Sequence, residues 1–581
     1  MRILLTSVDS KFIHSNLALR YLEQIGKQAS EDVCLYETTI NEDVDFILAD
    51  LISHHPDLLV FSCYIWNISL IKQLISAFNK VYPDTLILCG GPEVAYDAEE
   101  FLASTAAHGV MAGEGEAIFP GLLKTLRIAK NDGAKKPEEW LKALENVPGL
   151  YLKSVHNEIK STGKVDLIDM KEVPFPYDPS SLEGLKNRII YYEGQRGCPY
   201  ECSYCLSSID RKLRHKPVDM VCEELTVFLK AKVPLVKFVD RTFNVAEKWS
   251  FEVLSFIVNE TVANNYQTSF HFEVGAATLS DRIIKLLNQS PKGLFQIEAG
   301  IQSTNPKVLQ LIQRKDDPEQ LTKTLGQIIA GNNVHVHTDL IAGLPGQSLI
   351  SFKQSFNESL AMKPQMLQVG FLKVLKGSPL YKSRNELGIV YRDWPPYEVL
   401  KTAHMSFWDL HKIKKIDEIT DKYYNSGKYV NSMNFLLSNP GDYWDLFIKM
   451  ADYLSEYQKK KNRLHSDDYY RVILDLCKEL EGENAAILAD LLRFDYILMN
   501  RKGHVPEWLR NKNYNSLRAR LVNDDNENSW LKGTVARFKI NVLSFWQSQK
   551  IIEEDTHVFY SLATSEIIKV KHVEGKDYRP V

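Results

Sequence analysis

Through the first 120 residues, unbroken apolar runs alternate with segments of helical spacing. MRILLTS (1–7), VCLYETT (33–39), DLLVFSCYI (57–65), TLILCGG (85–91) and HGVMAGEGE (108–116) read as strands or strand-to-turn units. LALRYLEQIGKQ (17–28) and the stretches Val44–His54 and Ser69–Val81 read as amphipathic helices. Apolar strands separated by helices are the pattern of a parallel sheet covered on both faces. Residues 1–130 are therefore expected to form a Rossmann-like α/β domain.

The pattern changes at NDGAKKPEEW and again at the proline-rich VPFPYDPSS. Residues 131–187 read as a linker with one hairpin (GLYLKSVHNEIKS) and no core of its own. A second alternating series then supplies strands at RIIYYEGQRG (188–197), PLVKFVD (234–240), QTSFHFEVG (267–275), GLFQIEAGIQS (293–303), VHVHTDLIAGLPG (334–346) and MLQVGFLKVLKGS (366–378). Six βα units over residues 188–395 predict a full or partial (β/α) TIM-type barrel, with active groups where strands end. From residue 396 to 581 the spacing is mostly helical and rich in aromatics, closing on a short mixed piece (WLKGTVARFKINVLSFW, HVFYSLA). The aromatic stripes, with His404, His411 and His465, read as helix core or surface. No internal repeat or low-complexity tract interrupts the series.

Composition narrows the class. At 581 residues the chain exceeds what one core organises. Seventy basic against 74 acidic residues give a net charge of −4, which offers no field for nucleic acid. MRILLTSVDSKF meets Asp9 and Lys11 too soon for a secretory signal, and no apolar run approaches the roughly 18 residues a bilayer requires. Cys34, Cys63, Cys89, Cys222 and Cys477 stand singly and read as buried thiols, which points to a reducing cytoplasm.

The remaining three cysteines change the picture. GQRGCPYECSYCLSS places Cys198, Cys202 and Cys205 within eight positions. A structural zinc site needs four ligands, usually as two separated pairs. Three thiolates hold three irons of a four-iron cluster and leave the fourth iron open, as a catalytic centre requires. The run C-P-Y-E-C-S-Y-C resembles the CxxxCxΦC signature of radical SAM enzymes, with Tyr204 in the aromatic position. The resemblance implies a 4Fe-4S cluster whose unique iron binds S-adenosylmethionine and cleaves it to a 5′-deoxyadenosyl radical. It also implies an electron donor such as a flavodoxin or ferredoxin.

FVDRTFN (238–244), FQIEAGIQS (295–303), DLIAGLPGQS (339–348) and LKGSPL (375–380) resemble later strand ends of the same superfamily. By that likeness Glu298 and Gln302 face the ribose or methionine end of S-adenosylmethionine, and Gly343 and Gly346 admit the adenine. Surface hydrogen bonding and plain turns explain the same residues without a ligand. Asp240, Arg241 and Glu273 are barrel-end charges that either meet substrate in a catalytic role or pair with one another.

Ligands of a parallel sheet bind beyond the carboxyl ends of its strands. The dinucleotide loop G-x-G-x-x-G is missing after the first strand, which disfavours nicotinamide and flavin. FSCYIWN (61–67), CGGPEV (89–94) and AGEGEAIF (112–119) resemble the cobalamin-binding domain that precedes the barrel in one radical SAM subgroup. The resemblance implies cobalamin contacts at Ser62, Tyr64, Trp66 and Asn67, at Gly90, Gly91, Pro92 and Glu93, and at Gly113, Glu114 and Gly115. The glycines are expected to let backbone approach a large flat ligand. The spacing after Asp9 departs from D-x-H-x-x-G, so His14 is not expected to coordinate cobalt; Trp66 or Tyr64 would cover the lower face.

The reading this supports is a cobalamin-dependent radical SAM methyltransferase acting on an unactivated carbon of an unknown substrate. Radical cyclisation or rearrangement belongs to the same family. A methylthiotransferase would need a second cluster on Cys34, Cys63 and Cys89, of which Cys34 sits early within a strand. A cofactor-sensing module built around the C-terminal region is the non-enzymatic alternative.

Overall fold

From Ile3 onward, β1 (Arg2–Asp9) is buried on both faces, as a strand inside a helix-covered sheet must be. It pairs in parallel with β2 (Asp32–Thr39) and β3 (Leu58–Ser62), and β4 (Leu86–Gly90) and β5 (Gly109–Met111) extend the sheet. One apolar layer gathers Leu19, Leu22, Phe119 and Leu122; the other gathers Ile47, Leu51, Ile71 and Phe78. Asn16 caps the helix Leu17–Gln28 by accepting from Leu19 N–H, and Asp43 caps Val44–Ser53 in the same way. The strand order β2-β1-β3-β4-β5 reverses between β1 and β3, the topological switch point at which such sheets bind ligands.

The segment read as a linker does not link. The helix Pro137–Leu144 buries Trp140, Leu141 and Leu144 in the first of those layers. The expected hairpin, β6 (Leu150–Lys153) and β7 (Ile159–Ser161), pairs antiparallel with β5 and completes a seven-stranded sheet. Its polar composition belongs to an edge strand with one solvated side.

The second sheet runs in the order β15-β14-β13-β12-β11-β8. Its strands are β8 (Ile190–Tyr192), β11 (Leu235–Phe238), β12 (Ser269–Val274), β13 (Phe295–Gln302), β14 (His335–Ala342) and β15 (Met366–Phe371); β9 (Gln195–Arg196) and β10 (Arg214–His215) form a separate small hairpin. Pairing from β8 through β14 is parallel, as the βα repeat predicts, and the sheet is open rather than a closed ring. Alternate residues of β13 and β14 are buried, and those between them face the concave side.

The computed structural model describes all residues except 439–440, 462, 481, 501–504, 511–516, 523–529, 562–565, 575–576 and 581. It divides into two units, residues 1–351 with 370–407 and residues 352–369 with 408–581. The second unit carries the helices Phe407–Ile419, Val430–Leu436, Tyr443–Lys460, Ser466–Glu479 and Glu483–Met499, as the periodicity predicts. The closing piece read as mixed combines the helix Val542–Ser548 with a closed five-stranded barrel formed by residues 517–522, 530–538, 556–561, 567–574 and 577–580. Val535, Phe559 and Val570 form its core. Among the described residues, no helix is long and apolar enough to cross a membrane.

Candidate active site

The cysteines sit on a loop that is closed at its neck. After β8 the chain makes a two-residue hairpin, with Arg196 opposite Arg214 and Gln195 opposite His215. Gly197 turns the chain at φ +93, and a Cβ there would lie 2.3 Å from the carbonyl oxygen of Lys212. Only glycine fits so tight a return. Within the loop, Cys198 N–H donates to Asp210 O (2.9 Å) and Cys205 N–H to Cys202 O (3.1 Å). Ser203 N–H donates to Ile312 O, and its own carbonyl accepts from Leu380 N–H, tying the loop to segments beyond β13 and β15. All three thiols are free; Cys198 and Cys202 are buried, Cys205 half-buried. Among the described residues no three His, Cys, Asp or Glu side chains are placed to hold a single metal ion. Three thiols on one loop are the number that a four-iron cluster with one open iron takes.

Asp240 does not face the open mouth of the sheet. It is 1% exposed, its Oδ1 accepts from Gly194 N–H (2.9 Å), and its Oδ2 has no partner. Burial drives its pKa far above the usual carboxylate range. Gln195, equally buried, donates to the carbonyls of Thr242 and Phe243. The segment after β11 therefore grips the start of the cysteine loop. Arg241 is 59% exposed and lies 3.9 Å from Glu273, so these two charges face each other at the mouth. Burial raises Glu273, with Arg241 acting against it.

On the concave side, Lys237, His271, Gln296 and His335 share one register row, and Glu273, Glu298 and His337 share the next. Glu298 accepts from His271 Nε2 (3.1 Å) and Lys237 Nζ (3.4 Å). The His271 bond, opposed by burial and assisted by Lys237, brings its pKa down to about 2. Asp339 lies further along; burial, then Glu298 and Glu273, push it up to about 8, and its Oδ1 has no partner. Gln302 sits at φ +63 with a buried, unpartnered Oε1. Arg314 donates to Gly300 O (2.6 Å), pairs with Asp316 and lies 3.5 Å from the Tyr204 hydroxyl. Gly343 N–H donates to Gln347 Oε1 (2.8 Å), and a Cβ on Gly346 would lie 2.4 Å from the Leu311 side chain.

At the switch point of the first sheet, Asn16 donates to Ser7 Oγ and Ser62 Oγ, and Ser7 donates to Asp9 Oδ1. Asp9 Oδ2 is buried without a partner, and burial lifts the carboxyl to about 6. Asn67 bonds Val8 O, Ser62 O and Tyr64 N–H, which shapes the loop after β3. That loop presents Tyr64 and Trp66 stacked 4.4 Å apart at 7°, with Trp66 43% exposed. A flat aromatic face beside an orphaned acid suits a large planar ligand with polar substituents. His14 Nδ1 is 2.6 Å from the Tyr191 hydroxyl.

The glycines of this crevice answer to the protein. A Cβ on Gly91 would lie 2.5 Å from Cys63 O, on Gly113 2.7 Å from Val165 and on Gly115 3.2 Å from Leu22, while Gly90 has ordinary contact with Met111. Internal packing by itself requires glycine at 91 and 113, whatever backbone they present to a ligand. Pro92 opens the short helix Pro92–Ala95, and Glu93 accepts from the Tyr397 hydroxyl. Glu114 is also committed: burial raises it, but Arg214 and Arg196 outweigh this and hold it below the usual range.

Residues 3–123 match the family described as B12 binding domain, and residues 192–358 the radical SAM superfamily. The chain thus carries both a B12-binding domain and a radical SAM domain. A third match, residues 385–572, is to a protein family of unknown function, DUF4080. Relatives of this chain include the cobalamin-dependent radical SAM methyltransferase TokK of Streptomyces tokunonensis, 26% identical over 56% of this chain and 48% of TokK. The 2-(S-pantetheinyl)-carbapenam-3-carboxylate methyltransferase of Streptantibioticus cattleyicolor is 25% identical over 58% of this chain and 50% of its own. The aligned part thus spans about half the length of either relative. Among solved structures, the cobalamin-dependent S-adenosylmethionine radical enzyme OxsB with aqua-cobalamin superposes with a TM-score of 0.59, at 15% identity, over 87% of this chain and 81% of OxsB.

Within the radical SAM domain, sequence reasoning missed Lys237, His271, His337, Asp339 and Arg314. The period-2 alternation of β13 and β14 carried the signal for His337 and Asp339, since they share parity with His335 on one strand face. Arg314 follows a helix and had no such signal.

Proposed function

We propose that this chain is a cobalamin-dependent radical SAM methyltransferase acting on an unactivated carbon. The observation that carries the reading is the joining, in one unit, of a neck-closed three-thiol loop to a sheet whose switch point presents an open aromatic pair. Cys198, Cys202 and Cys205 would hold a 4Fe-4S cluster; Gln302, Asp339 and Arg314 offer buried acceptors and a cation to S-adenosylmethionine; Tyr64 and Trp66 would pack beneath cobalamin. When bound, the cluster with S-adenosylmethionine supplies one-electron hydrogen abstraction and cobalamin a transferable methyl group.

The residues do the rest. Asp240 and Gln195 fix the entry to the cysteine loop, and Glu298, held ionised by His271 and Lys237, keeps a fixed negative charge in the lumen for a cationic group. Arg241 and Glu273 stand at the mouth, where a substrate would pass. Reduction of the cluster requires a donor such as a flavodoxin or ferredoxin in a reducing cytoplasm. The methyltransferase names of two relatives favour methylation over cyclisation.

The methylthiotransferase alternative asks Cys34, Cys63 and Cys89 to ligate a second cluster. Cys63 and Cys89 are fully buried in an apolar layer of the first sheet, and Cys34 lies within β2 packed against the same layer. These positions favour packing. Anaerobic reconstitution tests the choice: iron for one cluster, cobalamin uptake, 5′-deoxyadenosine on reduction and a cell-extract product heavier by one methylene support the proposal. Iron for two clusters without cobalamin would overturn it.

A further inference from the structure

The run Ala112–Glu116, at the carboxyl end of β5, also holds the neck of the cysteine loop. Arg214 NH1 and NH2 donate to Glu114 Oε2 (3.0 Å) and Oε1 (2.8 Å) as a bidentate pair. Arg196 NH1 lies 3.1 Å from Glu114 Oε1, and its NH2 donates to Glu116 Oε1 at 2.9 Å. Glu193 and Asp210, from the loop's own ends, complete the set at 2.6 and 2.7 Å. Glu114 Oε2 further accepts from Ile168 N–H, and Arg214 NH1 donates to Ile168 O.

Arg196 and Arg214 are directly opposite each other on the two-residue ladder. Like charges so placed drive strands apart. Glu193 and Asp210 offset part of that from within the loop, and the carboxylates of the first domain add to it largely out of water, since the Arg214 side chain is 9% exposed. Low screening makes the pairing geometric as well as electrostatic. The neck of the thiol loop and the wall of the cobalamin crevice are therefore fixed through one carboxylate.

We infer that Glu114 is a positioning residue that couples the two cofactor sites: filling the crevice stiffens the thiol loop, and loading the loop tightens the crevice. The inference rests on the cofactor assignment proposed above. Linkage makes such a coupling reciprocal, and typical couplings change affinity by about 5- to 150-fold.

The test measures cobalamin Kd by absorbance titration, on the full chain with its cluster reconstituted and on the same chain stripped of iron. The native ratio is expected to reach at least about 5-fold in favour of the loaded protein. Glu114→Gln should bring the ratio to about unity, whereas Glu116→Gln, which leaves the Glu114–Arg214 pair in place, should keep most of it. Arg214→Lys, which retains charge but not the two-pronged geometry, should give an intermediate ratio and serves if Glu114→Gln melts early. A native ratio of one, or a Glu114→Gln ratio equal to native, would overturn the coupling while leaving the cofactor assignment standing. Failure of the native chain to take up iron or cobalamin would instead defeat the assignment, and the coupling with it.

Discussion

The carboxylate of Asp240 accepts the backbone N–H of Gly194 at 2.9 Å, in a place where neither group reaches water. A barrel-end acid thereby serves the residues that launch the cysteine loop. Removing the acceptor with Asp240→Ala should cost about 1–3 kcal/mol, the usual penalty for a stranded buried donor. Asp240→Asn keeps an acceptor and mimics the neutral acid that burial favours, so it should melt close to native. Thermal melts with iron analysis separate the two variants: only the alanine protein should lose stability and shed iron.

Gly197→Ala should be more selective. The added Cβ meets the Lys212 carbonyl, a backbone atom that cannot swing away. The neck would have to open, and reconstituted iron should fall to a small fraction of native. Cobalamin binding should persist at the weaker level of the iron-free chain, because the first sheet does not include this turn. Iron analysis beside a cobalamin titration reads both.

Two lumen carboxylates give opposite pH signatures. Glu298 is held at about 2 against an ordinary 4.5, so its contribution is present above about pH 4.5 and lost as pH falls toward 2. Glu298→Gln should therefore lower the melting temperature near neutrality and change little in strong acid. Asp339 is raised to about 8 from 3.8, so its folded form is favoured in acid and loses ground as pH rises through that window. Asp339→Asn should flatten this decline between about pH 4 and pH 8. Melting temperature against pH for the two variants checks both signs.

Trp66 is exposed and stacked on Tyr64, so Trp66→Ala should alter stability by no more than about 0.5 kcal/mol. Loss of an aromatic face worth about 0.5–1.5 kcal/mol should weaken cobalamin binding by up to about tenfold. His14→Ala should leave the cobalt(II) EPR spectrum unchanged, without nitrogen hyperfine splitting in either protein. Splitting that disappears with His14 would show that the ring leaves Tyr191 to bind cobalt.

Much of this architecture was legible in the chain. The buried runs around Ile3, Leu59 and Ile87 dictated a parallel sheet because strands covered on both faces have no polar side to show. The thiol spacing marked its own loop. Sequence periodicity reports which face of an element is buried, and it says nothing of what a polar tip meets across the fold. That is why the pairing of Glu114 with Arg196 and Arg214 was hidden: they lie 80 residues or more along the chain, and no local rule links them. The same limit hid the grip of Asp240 on Gly194. The hairpin of residues 150–161 read as a linker because an edge pair with one wet side lacks the continuous apolar run of an inner strand. The closing barrel was missed where short strands alternate with the helix Val542–Ser548.

The opposed guanidinium groups of Arg196 and Arg214 impose an order on maturation. Glu193 and Asp210 offset part of their repulsion from within the segment, and Glu114 and Glu116 supply the remainder from the amino-terminal half. Synthesis delivers that half first. The thiol-bearing segment therefore meets its full set of counter-charges only on a scaffold that precedes it along the chain.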